Sequence, residues 1–80
     1  MTEQEILDRL TSILRDLLAD ESIVLTRETK REDVPNWDSF NYLNFIVATE
    51  IEFALKFKTG EVDAFENVGA IVARIKEMAG

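Results

Sequence analysis

Ser39, in the tripeptide Asp38-Ser39-Phe40, is the hydroxyl whose placement stands out in this sequence. It opens an apolar run, and Asp38 stands where the cap of a helix belongs, which puts the serine in a helical first turn. Taken as an isolated dipeptide, Asp-Ser reads as a plain cap about nine times in ten, because both residue types are favoured at any helix start. Register changes that balance: a long helix and a long loop precede the pair, and a short element and a capped last helix follow it. The chain has no histidine and no cysteine, so the usual base for a serine nucleophile, thiolates, disulfides and the commonest zinc ligands are all missing. A lone serine without a base hydrolyses and transfers nothing. No catalytic residue and no metal site is therefore assigned.

The elements that position Ser39 follow from spacing. Thr2 and Glu5 form a capping-box pattern, and Ile6, Leu7, Leu10, Ile13, Leu14, Leu17 and Leu18 then recur at three- and four-residue steps, as one face of an amphipathic helix does. From about Asp20 to Trp37 the periodicity fails, and Pro35 breaks any helix there. A loop of that length carries function or is pinned by its own apolar residues, here Ile23, Val24, Leu25, Val34 and Trp37. The second helix runs from the Asp38 cap to about Leu55, with Leu43, Ile46, Val47, Glu50 and Phe53 along one side. Thr49 shares a face with Tyr42, Ile46 and Phe53, where its hydroxyl either bonds the backbone one turn back or faces a cavity.

Leu55 to Gly60 reads as an extended connector, with Phe57 as the inward anchor and Gly60 as the flexible point. A one-turn helix is expected around Glu61 to Phe65. Asn67 caps a last helix whose buried stripe is Val68, Ile71, Val72, Ile75 and Met78. The fold class is all-α, a small four-helix bundle with three principal helices and one short helix, and a long loop between helices one and two. Residues 1–80 form a single domain, since 80 residues support one core, and 46% apolar residues suffice to build it.

Sixteen acidic residues against nine basic ones give a net charge of -7, which repels nucleic acid and anionic lipid and attracts basic protein surfaces. Neither nucleic acid nor a membrane is an expected partner. The first residues lack the basic and apolar regions of a signal peptide, and no apolar run approaches spanning length. A cytoplasmic monomer is the simplest expectation.

With these elements in order, the chain resembles the acyl carrier protein family, whose hallmark is Asp-Ser-Leu at the start of the second of four helices. Here the hallmark reads Asp38-Ser39-Phe40. Ala48, Glu50, Glu52 and Phe53 stand where the family places the later part of that helix. Val68-Gly69 with Ile71, Val72, Ile75 and Lys76 is similar to the family's last helix. Val34-Pro35-Asn36-Trp37 resembles the lead-in of some free-standing carriers of specialised pathways.

The resemblance implies a carrier and not an enzyme. In that family a phosphopantetheinyl transferase moves 4'-phosphopantetheine from coenzyme A onto the serine hydroxyl, using Mg2+, and the arm's thiol then holds an acyl group as a thioester. Ser39 is by resemblance the attachment point, flanked by Asp38, which caps the helix and helps the transferase hold its metal, and by Phe40. The first-turn amides and the positive end of the helix dipole favour a phosphate there. The thiol arrives with the prosthetic group, which is how a chain without cysteine does thiol chemistry. Acyl-activating, condensing or acyl-transfer enzymes are the implied partners.

Departures from the pattern refine this. Phe40 replaces the usual leucine, and Asn44 and Ile51 stand where fatty-acid carriers are commonly acidic, which points to a specialised fatty-acid, polyketide or other secondary pathway. The docking face is expected at Phe40, Asn44, Val47, Ala48, Glu50 and Ile51. The acyl shelter is expected between helices two, three and four, walled by Leu43, Ile46, Thr49, Phe53, Phe65 and Ile71; Thr49 on that wall implies a short or polar cargo. The short third element, with few apolar anchors, is the part expected to open. Ala54 replaces a frequent glycine, so helix two is expected to run on or to turn without a left-handed cap. Two alternatives stand: a free-standing peptidyl or aminoacyl carrier, ranked lower because Asn36-Trp37-Asp38-Ser39 lacks that group's glycines, and an unmodified helical adaptor for a protein partner.

Overall fold

The computed structural model describes residues 1–79. Four helices follow one another: α1 (Glu3–Leu18), α2 (Ser39–Phe53), α3 (Thr59–Ala64) and α4 (Val68–Ala79). Among the described residues there is no strand, and no helix is long and apolar enough to cross a membrane.

The α1 capping box forms as its sequence dictates: the Thr2 hydroxyl accepts from Glu5 N at 3.1 Å and the Glu5 carboxylate from Thr2 N at 2.9 Å. Ile6, Leu10 and Leu14 lose all exposure against α2 and α4, and burial of this kind is worth about 1.5–3 kcal/mol for each side chain. On α4 the stripe narrows to Val68, Ile71, Val72 and Ile75, while Met78 lies on the surface. Asn67 caps α4 as expected, its side-chain oxygen accepting from Ala70 N at 2.9 Å.

The long loop is pinned rather than free. Ile23, Leu25 and Trp37 are buried, whereas Val24 faces out. The Arg15 guanidinium donates to Ile23 O at 2.6 Å, and a 3₁₀ turn at Arg31–Asp33 is closed by Lys30 N donating to the Asp33 carboxylate at 2.8 Å. Two backbone bonds tie the loop to the start of α4: Val68 N to Thr29 O at 2.9 Å and Gly69 N to Arg27 O at 2.8 Å. A Cβ on Gly69 would lie 2.8 Å from that same Arg27 oxygen, so only glycine admits so close an approach.

Three local expectations are corrected. The second helix stops at Phe53, because Ala54 turns left-handed at φ 52 and ψ 49 despite its Cβ. Ala54 N donates to Ile51 O and Leu55 N to Glu50 O, a Schellman closure that a running helix would forfeit. Gly60 is the second residue of α3 and not a hinge in the connector. Leu43 and Val47 are 56% and 53% exposed, so they do not share the buried side with Ile46.

Candidate functional site: the start of α2 and the cavity beside it

Asp38 builds the first turn of α2. Its extended backbone and its carboxylate, accepting from Asn41 N at 2.9 Å, fix the helix start, and Asn41 in turn donates to Asn36 O at 2.9 Å, tying the helix to the turn before it. Asn36 itself adopts φ 69, a left-handed conformation that asparagine tolerates. Ser39 is exposed in this frame. Among the described residues its hydroxyl makes no hydrogen bond, and nothing accepts from the amides of Ser39 and Phe40. An exposed hydroxyl beside two open amides and the positive end of a 15-residue helix suits an attached phosphate.

Next to this turn lies a cavity of about 290 Å³. Its outer side is the loop at Thr29, Lys30, Arg31 and Glu32, and Trp37 and Tyr42, which flank Ser39 in sequence, lie on its wall, while Ser39 itself does not line it. Val62 and Phe65 close it from the α3 side, Val68 and Ile71 from α4. Two aromatic contacts set that wall: Trp37 meets Phe45 edge-on at 5.1 Å and Tyr42 at 6.1 Å. Tyr42 donates to Val62 O at 2.8 Å, and the Arg31 guanidinium lies 5.4 Å over its ring. Burial pushes the Tyr42 phenol above its ordinary value, with the Arg31 charge pulling part of the way back. The Trp37 indole N–H is buried and has no hydrogen-bond partner among the described residues.

Of the expected shelter residues, Phe65 and Ile71 line this cavity. Ile46 is buried in the general core instead, and Phe53 lies partly buried under the Arg9 guanidinium at 5.8 Å. Leu43 cannot wall a shelter from its exposed position. Thr49 is fully buried, yet its hydroxyl donates to Phe45 O at 2.8 Å, so the backbone takes it and Thr49 gives no ground for a polar cargo. Trp37, Val62 and the loop residues were not foreseen as walls, whereas Tyr42 was read as a possible aromatic lining residue; the unusual length of that loop was the signal that it would cover something.

Of the expected docking residues, Phe40, Val47 and Ile51 are exposed and, with Leu43, make an apolar stripe along α2. Asn44 and Ala48 are half-buried beside it. Glu50 is turned away from that role: its carboxylate accepts from Phe57 N at 2.8 Å and so holds the connector to α3. Glu52 stays on the surface, 3.3 Å from Arg9.

α3 hangs on Val62 and on polar ties. Glu61 accepts from Lys58 N at 2.8 Å and from the Arg74 guanidinium at 2.7 Å. The backbone bond, followed by the Arg74 bond and charge, holds the Glu61 carboxyl below its ordinary value despite some desolvation.

No family model matches the chain. Among solved structures it is similar to the solution NMR structure of holo acyl carrier protein from Geobacter metallireducens, with 42% sequence identity and a TM-score of 0.83, over 90% of this chain and 83% of that one. The chain belongs to the acyl carrier protein family. Family membership makes it a carrier and not a catalyst, in agreement with the lone, base-free Ser39.

Proposed function

We propose that Ser39 carries 4'-phosphopantetheine and that the protein delivers acyl groups to partner enzymes of a specialised pathway. The observation that carries this reading is Ser39 itself: an exposed, unbonded hydroxyl at the first turn of α2, beside a cavity, in a chain related to a holo carrier. The arm, once attached, supplies the thiol that holds the cargo as a thioester. The chain's own residues do the rest. Asp38 fixes the turn, the open amides of Ser39 and Phe40 face the phosphate, and the cavity beside Trp37 and Tyr42 shelters the cargo from water.

Delivery rests on α2. An apolar stripe of Phe40, Leu43, Val47 and Ile51, on a chain of net charge -7, fits partners that present an apolar strip within a basic surround. Glu50 is spent on the connector, which thins the acidic face further and supports dedicated partners over the general fatty-acid machinery. Incubation with coenzyme A, Mg2+ and a permissive phosphopantetheinyl transferase should raise the intact mass by one arm, and Ser39→Ala should abolish the increase. No increase with a transferase active on a control carrier would refute the reading.

A further inference from the structure

Tyr42 ties two walls of the cavity together. It stands on α2 one turn after Ser39, and residues three apart on a helix have Cβ atoms about 5–6 Å from each other. An arm on Ser39 therefore starts beside a side chain that lines the cavity. The far end of that side chain is fastened across the gap: its hydroxyl donates to Val62 O of α3 at 2.8 Å, and Val62 lines the cavity too. Among the described residues this is the one hydrogen bond that joins α2 to α3. A six-residue helix cannot satisfy its last carbonyls from within, so Tyr42 supplies a donor that the end of α3 lacks. The ring is held separately, by Trp37 at 6.1 Å and the Arg31 guanidinium at 5.4 Å. Removing the hydroxyl alone thus cuts the tie and leaves the ring packed. Apart from the tie, α3 is held by buried Val62 and by the Glu61–Arg74 pair to α4.

We propose, resting on the carrier reading of Ser39, that Tyr42 is a positioning residue that limits the length of acyl chain the protein shelters: while its hydroxyl holds Val62, the gap between α2 and α3 is fixed and the cavity stays at about 290 Å³. A closed apolar cavity of roughly 150 Å³ admits benzene, so about twice that volume admits roughly a dozen non-hydrogen atoms. The tip of the arm takes a share, which leaves room for a chain of about six to eight carbons. Further extension runs toward the polar loop side at Lys30, Arg31 and Glu32, where an alkyl chain gains little, or else needs α3 to move away from α2, which the tie opposes.

The test compares wild type with Tyr42→Phe, each loaded with butyryl, hexanoyl, octanoyl, decanoyl and dodecanoyl groups from the matching acyl-coenzyme A and checked by intact mass. The reading is the rate of thioester cleavage by hydroxylamine. In the wild type, protection should rise with length to about octanoyl and then stop. In Tyr42→Phe, decanoyl and dodecanoyl should gain about 3- to 10-fold in protection, the worth of one neutral hydrogen bond, with butyryl unchanged. An equal change at every length would make the hydroxyl a general support of the fold. No change at any length, or wild-type protection that keeps rising to dodecanoyl, would mean that the tie sets no limit; each of these results overturns the proposal. A second measurement needs no variant. The Val62 carbonyl ¹³C resonance, which senses the Tyr42 bond, should stay in place in the wild type from butyryl to dodecanoyl, and an upfield move with the longer chains would show that the tie yields to them and would overturn the proposal as well. Failure to gain mass overturns the carrier reading instead, and the length limit with it.

Discussion

Gly69→Ala isolates the contact that holds the long loop over the cavity. Two effects oppose each other. Alanine in a helix is favoured over glycine by about 1 kcal/mol. Against this, the new Cβ would sit 2.8 Å from Arg27 O, 3.2 Å from Arg27 Cβ and 3.2 Å from the Asn67 side-chain oxygen. The nearest of these is backbone, and it is already the acceptor for Gly69 N at 2.8 Å, so relief means moving the loop and stretching that bond. Overpacking costs about 1–3 kcal/mol and a weakened hydrogen bond about 0.5–1.5 kcal/mol. The balance is a loss of roughly 2 kcal/mol, which lowers Tm by about 10 °C in a domain of this size. Thermal unfolding followed by circular dichroism measures it, with Gly60→Ala as the internal control. Gly60 also lies in a helix, but a Cβ there meets nothing within 4 Å, so the same substitution should raise stability by about 0.5–1 kcal/mol. An unchanged or raised Tm for Gly69→Ala would refute the reasoning, because helix propensity would then have outweighed the clash.

Three further outcomes are expected. Ala54→Gly should stabilise by about 1 kcal/mol, because the left-handed φ of 52 that strains alanine suits glycine and the side chain is exposed; a lower urea midpoint would contradict this. The Glu61 carboxyl, lowered in the fold, contributes stability that is present above its ordinary pKa of about 4.5 and is lost as pH falls through its lower folded value. Amide exchange in α3, corrected for intrinsic rates, should therefore accelerate in that acid window while the Leu10 and Leu14 region of α1 stays protected, and Glu61→Gln should remove the pH dependence. Phe40→Ala and Ile51→Glu, at side chains 73% and 76% exposed, should leave stability within about 0.5 kcal/mol yet slow partner-catalysed transfer by about 5-fold or more; wild-type transfer rates would exclude the apolar stripe as a docking face.

The sequence made some parts of this molecule plain and concealed others, for physical reasons. α1 was legible because a capping box and a leucine-rich stripe act locally and in agreement, and Asp38 was legible because a carboxylate one residue before an apolar run has one common use. Of the cavity's walls, Phe65 and Ile71 were legible and the loop side was not. On α2 the apolar residues Leu43, Val47 and Ile51 face outward, so periodicity there mixes a core face with a surface stripe, and Leu43 was assigned to the wrong one. The roles of Glu50 and Thr49 depend on which backbone groups tertiary packing brings near, Phe57 N and Phe45 O. Ala54 closes α2 without the expected glycine because the Schellman hydrogen bonds outweigh a modest left-handed cost. Trp37 was visible as an anchor of the loop, but that its buried indole N–H is left unpaired follows only from the folded packing.

Attachment of the arm comes down to one oxygen atom, the Ser39 hydroxyl, and peptide mapping of the transferase-treated protein locates it. Trypsin should release residues 32–56 as one peptide, which contains three hydroxyl side chains, Ser39, Tyr42 and Thr49. The added phosphopantetheine should lie on this peptide, fragmentation should place it on Ser39, and Ser39→Ala should leave the peptide unmodified. An arm located on Tyr42, Thr49 or any other peptide, or one that persists in the alanine variant, would contradict it.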